Sequence, residues 1–364
     1  MPTRRECNTR RLSGTKTTNL QTTIAGVNQN EKILGVVYGQ ALGDAFCMPS
    51  QITRRMTRAT YTEIPSDLVA PPANHEVHYG LAAGAITDDT EQAMFLAQAM
   101  IADGGVSAEG TARAIVAWYD FIGGDTIPFV GPSTKRAVAK IRAGQSLDVT
   151  GLFGDTNGAA MRVSVVGAIY PGDVEGAAQA GALSARPTHN TGAGCASAAA
   201  VAGAVAQALA DGATVRDVIL AGVRGAEIGE SLGHEWLGAS VARRIEFAVG
   251  LARDGHGDDE DRLQAIFDLV GTTLAASESV PAAFGIVALA DGDPLRAARL
   301  ACSLSGDADT IGAIACAICG GLRGVESIPE EMRRQLRAAN PKYDFEGAAR
   351  GLAALAATRR DERR

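Results

Sequence analysis

The chain has 364 residues, a net charge of −7 and 46% hydrophobic residues, yet only 5% aromatic ones, so its core has to be built from Ala, Val, Ile and Leu. The acidic balance gives no basic face of the kind nucleic acid requires, and no nucleic-acid partner is expected. A membrane span is not expected either: residues 33–46 are apolar, but Gln40 and Asp44 interrupt them and the stretch is too short for a bilayer.

Residues 1–30, with five basic side chains against Glu6 alone, read as a disordered head outside the fold. The first core helix is expected over 31–47. Its Gly35, Gly39 and Gly43, four apart, leave a smooth face for a closely packed neighbour. Residues 51–86, with Pro65, Pro71 and Pro72, read as a long functional loop. Helices follow at 88–103, 108–122 and 133–143, then one running through Met161 and Val166. Further helices are expected at 174–185, 193–211, 215–229, 236–252, 262–275, 282–290, 294–304, 310–322 and 329–338, before a frayed charged tail from Thr358. Strand signals are nearly absent, so the class is all-α. The six scattered cysteines read as buried small apolar residues and suit a reducing cytoplasm.

Two acidic clusters carry the chemistry. Thr87-Asp88-Asp89-Thr90 and Asp307-Ala308-Asp309-Thr310 each set two carboxylates and a hydroxyl at the start of an apolar helix. Singly, each is an ordinary helix start, because Asp and Thr are good N-caps and first-turn acids complement the helix dipole. Together, four acids in one small volume cannot all stay ionised without cations. Oxygen-only donors suit Mg²⁺ or Mn²⁺. Gly306, just before Asp307, would let the backbone approach a ligand closely. Other constellations carry less. The acidic run 254–261 lacks the glycine and glutamate spacing of a calcium loop, and Gly192-Ala193-Gly194 lacks the preceding strand of a nucleotide fold. His75, His78, His234 and His256 have no ligand spacing and read as surface or rim residues.

With three more segments in order, the clusters form a recognisable series: Gly39-Gln40-Ala41-Leu42-Gly43-Asp44-Ala45, then Thr87 to Thr90, Asn157-Gly158-Ala159-Ala160-Met161-Arg162, Thr188-His189, and Gly306 to Thr310. From about Glu31 to Ile328 the chain resembles the ADP-ribosylglycohydrolase family, all-α dinuclear magnesium or manganese enzymes that cleave ADP-ribose from modified side chains. The resemblance implies a compact single-domain orthogonal helical bundle over 31–357, leaving the head and a tail of 358–364. It implies two Mg²⁺, with Mn²⁺ as the alternative, held by Thr87, Asp88, Asp89, Asp307, Asp309 and Thr310. It gives Asp88 and Asp89 the catalytic role and makes Gln51, Asn157, Gly158, Met161 and His189 substrate contacts.

Two positions depart from the family pattern. Gln51 stands where several members carry a glutamate, and an amide cannot accept a proton as a general base. Asp155-Thr156 replaces a small Gly/Ser pair and sets a carboxylate where a diphosphate is expected. The implied activity is hydrolysis at the anomeric ribose carbon of ADP-ribosyl conjugates of the ADP-ribosyl-arginine kind. The implied partner is an ADP-ribosylated protein or a small riboside. The alternatives are a hydrolase of free N-ribosides and a non-catalytic ADP-ribose-binding or crystallin-like structural protein. The sequence gives no oligomeric state.

Overall fold

The computed structural model describes residues 28–127 and 130–362, so the expected head lies almost wholly outside the described residues. Within them the chain is all-α, with seventeen helices and no strand beyond the isolated bridges Thr156–Ala275 and Thr191–His234. The first part holds α1 (Gln29–Cys47), α2 (Arg54–Thr60), α3 (Asp88–Asp103), α4 (Ala108–Phe121), α5 (Pro132–Arg142), α6 (Leu147–Thr150) and α7 (Ser164–Gly167). The middle holds α8 (Val174–His189), α9 (Gly192–Ala208), α10 (Val215–Glu230), α11 (Val241–Asp254) and α12 (Asp259–Leu269). The last part holds α13 (Ala276–Leu289), α14 (Pro294–Leu304), α15 (Ala308–Arg323), α16 (Glu330–Ala339) and α17 (Phe345–Glu362). Among the described residues no helix is long and apolar enough to cross a membrane.

The central seam is α1 lying antiparallel on α15. A Cβ added at Gly35 would stand 2.2 Å from the Gly320 carbonyl oxygen, at Gly39 2.1 Å from that of Cys316, and at Gly43 2.0 Å from that of Gly312. The four-residue glycine spacing therefore does what a smooth helix face allows: backbone meets backbone, and many small dispersion contacts replace large side chains. Antiparallel packing also fixes the site. It carries Asp44, at the end of α1, to the start of α15, where Asp307, Asp309 and Thr310 sit. The buried Cys316 and Cys319 belong to this seam as free thiols.

Several elements differ from expectation, each for a local reason. The helix expected through Met161 is a 3₁₀ turn (Asn157–Ala159) followed by the single turn of α7. The acidic run before residue 262 starts α12 early, because Asp258 and Asp261 cap each other's backbone N–H groups. α13 begins at Ala276 despite Pro281 inside it. Pro281 cannot donate to the Ser277 carbonyl, and Arg244 Nη1 donates to that oxygen instead, at 2.8 Å. The end expected to fray at Thr358 is ordered helix, with the Arg359 guanidinium 4.1 Å from the centre of the Tyr170 ring. The long loop over 51–86 contains the short α2.

Candidate metal centre

Thr87 and Asp307 occupy the N-cap positions of α3 and α15, and neither side chain accepts a backbone N–H of its helix's first turn. The cap on α3 comes from α1. Asp44, wholly buried, accepts the backbone N–H groups of Thr87 (3.0 and 3.1 Å) and Thr90 (3.1 Å) and the Thr87 hydroxyl (2.8 Å). Burial raises its pKa, and these donors pull it back down. Asp44 lies in the first motif, but nothing local in the sequence distinguished it from a polar break in an apolar helix.

With that duty taken by Asp44, Asp88 and Asp89 are left short of donors. Asp89 is 2% exposed; its Oδ2 shares the single Thr87 hydroxyl proton at 3.3 Å, and its Oδ1 has no partner. Asp88 is half-buried and accepts only Gln92 Nε2, at 3.4 Å. Asp307 accepts Gln51 Nε2 at 3.1 Å and Asn157 Nδ2, so the first motif's loop and the Asn157 loop meet on one carboxylate. Asp309 accepts the Thr310 N–H at 3.0 Å and meets His78 Nε2 at 3.1 Å. Burial, then mutual repulsion, drives all of these pKa values upward. Asp88 and Asp89 lie well above the ordinary carboxylate range, while Asp307 and Asp309 rise to about 7.

The donor set fits hard divalent cations. Four buried carboxylates (Asp44, Asp89, Asp307 and Asp309) and the half-buried Asp88 lie within electrostatic reach of one another, threonine hydroxyls stand beside them, and a buried carboxylate oxygen has no partner, which is costly unless a proton or a cation meets it. Among the described residues no three acidic, imidazole or thiol side chains surround a common point. Like charges instead spread onto separate donors: Asp44 on the α3 terminus, Asp307 on two amides, Asp309 on an imidazole.

The remaining expected residues form a buried support. Asn157 is fixed by Ser279 Oγ (2.9 Å) and by its N–H to the Leu274 carbonyl (2.9 Å). Gly158 is held to glycine by His189, whose Cε1 would lie 2.8 Å from an added Cβ. The Met161 carbonyl accepts from Gln40, which also donates to the Asp89 carbonyl at 3.1 Å and so ties α3 to this loop. His189 is wholly buried between Thr156 Oγ1 (2.9 Å) and Thr188 Oγ1 (2.7 Å). Burial and the nearby Arg162 and Arg136 push its pKa well below 6.5, so it is a neutral strut beneath the loop.

Arg162, the last residue of the Asn157 motif, is also wholly buried. Its Nη1 donates to Gln92 Oε1 (3.0 Å) and the Gly158 carbonyl (2.8 Å), and its Nη2 to Thr188 Oγ1 (2.6 Å). Asp155 caps nothing; its Oδ2 accepts the Trp236 indole N–H at 3.4 Å, beside Phe153. Gly306 has φ +79°, which favours glycine, and it packs on Thr272 rather than opening to a ligand. His75 and His78, expected at the surface or rim, are respectively buried and 10% exposed at the side chain. Sequence reasoning missed Asp44, Gln40, Gln92 and His78 as parts of the site. For Asp44 and Gln40 the signal was present in the first motif; for His78 there was none, since its partner lies 231 residues away.

A sequence profile of the ADP-ribosylglycohydrolase family matches residues 26–362. The chain is 36% identical over 328 residues to the uncharacterized protein YegU of Escherichia coli K12, covering 89% of this chain and 97% of that one. It is 30% identical over 316 residues to an uncharacterized protein of Archaeoglobus fulgidus, covering 84% and 92%. Among solved structures, an ADP-ribosylglycohydrolase-related protein complex superposes with a TM-score of 0.66 at 24% identity, over 90% of this chain and 99% of that one, a likeness of fold. By profile and curated relatives, over nearly its whole length, the chain belongs to the ADP-ribosylglycohydrolase family.

Proposed function

We propose that this protein is a metal-dependent glycosidase that hydrolyses the bond at the anomeric ribose carbon of ADP-ribosyl conjugates. The observation that carries the reading is Asp89: a carboxylate 2% exposed, with one oxygen unpartnered, among three other buried acids and the half-buried Asp88. A structural protein of this fold has no use for that unfavourable charge. When bound, a pair of Mg²⁺ or Mn²⁺ ions would offset the acids and make a water molecule acidic enough to attack near neutral pH.

The chain's own groups do the rest. Asp88 and Asp89, poorly supplied with donors, are the carboxylates able to take the proton of the attacking water. Asp307 is aimed by Gln51 and Asn157, so Gln51 orients a carboxylate rather than replacing one. The gathered negative charge favours an oxocarbenium-like transition state over the neutral sugar. For a diphosphate, an available cation is Arg136, exposed and donating to the Phe153 carbonyl at 3.0 Å beside the loop.

A second substrate reading has its own support. Asp155 is not a cap and Arg162 is enclosed, so the loop offers one carboxylate and one exposed arginine, a balance that also suits a small uncharged riboside. Product analysis after incubation with ADP-ribosyl-arginine, ADP-ribosyl-serine and a nucleoside panel, with Mg²⁺ or Mn²⁺ present, separates the two. Release of ADP-ribose supports the first reading; release of free ribose from nucleosides alone supports the second; no release from any substrate rejects the glycosidase.

A further inference from the structure

We propose that His78 is a ligand of this cation site, giving it one imidazole nitrogen among its oxygens and a preference for Mn²⁺ over Mg²⁺. The inference rests on the two-cation reading above.

His78 reaches the site from the long loop between α2 and α3. Its Nε2 stands 3.1 Å from Asp309 Oδ2, and its side chain is 10% exposed. The loop is set to deliver it. His75, 3% exposed, accepts the backbone N–H groups of Val77 (3.2 Å) and His78 (2.9 Å) on its Nδ1, and the two rings lie 5.3 Å apart. A buried imidazole thus pins the turn that carries the second imidazole. Asp309 is aimed as well, since its other oxygen accepts the Thr310 N–H.

The spacing is that of two ligands on one ion. Neighbouring donors in an octahedron with bonds of about 2.1 Å stand about 3 Å apart. The pair now shares one proton between His78 Nε2 and Asp309 Oδ2. With the ring's own proton on Nδ1, a cation bound by both atoms would send only that shared proton to solvent and leave a neutral imidazole beside a carboxylate. Charge favours this choice of donor. Five carboxylates already repel one another here, and a neutral nitrogen adds a ligand without adding to that repulsion. Imidazole is a poor ligand for Mg²⁺ and a good one for transition metals, so its presence tilts selection toward Mn²⁺.

The test is pulsed EPR on the full-length protein, stripped by chelator and reloaded with Mn²⁺, with calorimetric titrations of Mn²⁺ and Mg²⁺ alongside. The expected result is a ¹⁴N coupling to bound Mn²⁺ in the wild type that is lost in both His78→Ala and His78→Gln. Mn²⁺ affinity should fall about tenfold or more in both variants and Mg²⁺ affinity by far less. The glutamine variant can still donate to Asp309, so a histidine that served only as a hydrogen-bond donor would leave its affinities near wild type. Saturable Mn²⁺ binding without nitrogen coupling, or coupling that survives in His78→Ala, overturns the proposal and leaves the two-cation reading standing. No Mn²⁺ binding by the wild type overturns both.

Discussion

The same two helices, α1 and α15, make both the most closed and the most unsettled parts of the molecule. Along the seam, Gly35, Gly39 and Gly43 press onto the carbonyls of Gly320, Cys316 and Gly312, with no charge between them. Just beyond, past Gly43 on one helix and before Gly312 on the other, lie Asp44, Asp307 and Asp309, all buried. The neutral seam supplies the rigidity that holds the acids together against their repulsion. Its glycines serve the site by closeness of backbone, while the acids weaken the fold that positions them. A stability optimum is not what this end of the helix pair encodes.

The largest expected effect breaks the seam. Gly39→Leu would drive a side chain into the Cys316 backbone, which cannot step aside as a flexible side chain can. Destabilisation of ~4 kcal/mol or more is expected, seen as loss of cooperative thermal unfolding or of soluble protein. A variant with near-native melting would show that the seam is slack. The acid pocket should behave in the opposite sense. Asp89→Asn removes a buried, poorly partnered carboxyl whose ionisation the fold opposes, so the metal-free protein should melt several degrees higher while turnover falls about a thousandfold or more. Equal losses of stability and activity in this variant would make Asp89 a structural residue.

How far the sequence could be read follows the same division. Local signals sufficed for α3 and α14: acids in the first turn and three-to-four spacing in one, Asp293 and Pro294 at the start of the other. α17 was invisible because Gly347, Gly351 and a charged end weaken its periodicity; it is held by tertiary contacts such as Gly351 on Ile101 and Arg359 on Tyr170. The Asp and Thr clusters were legible as chemistry, but the freedom of Thr87 to Asp89 from capping α3 was not, since it depends on Asp44 arriving from another helix. The burial of His189 and Arg162 beneath the loop was equally hidden, because motif position says nothing of depth.

A smaller effect sharpens the comparison through pH. Burial and then repulsion raise the pKa values of Asp307 and Asp309 from the ordinary 3.8 to about 7 in the folded protein. Between those values the folded chain holds protons that the unfolded chain has released. The stability of metal-free protein should therefore be fullest below about pH 4 as far as these two groups are concerned, and fall as pH rises through about 7. Chemical denaturation across that range is the measurement, and Asp307→Asn should flatten the slope. A stability that rises over the same interval would mean that these carboxyls are ionised and well partnered. The smallest effect belongs to Gln51. It aims Asp307 through one neutral hydrogen bond, so Gln51→Ala should lower turnover about tenfold. A loss as large as that of Asp89→Asn would move catalysis to Gln51.

The central claim is that the buried acids exist to hold cations, and calorimetric titration of chelator-stripped protein with Mn²⁺ tests it most directly. The account predicts saturable binding with a rise in melting temperature, both abolished in Asp309→Asn while the helical circular dichroism is retained. Stripped protein that binds no Mn²⁺ and hydrolyses its substrate at full rate in excess chelator would contradict it.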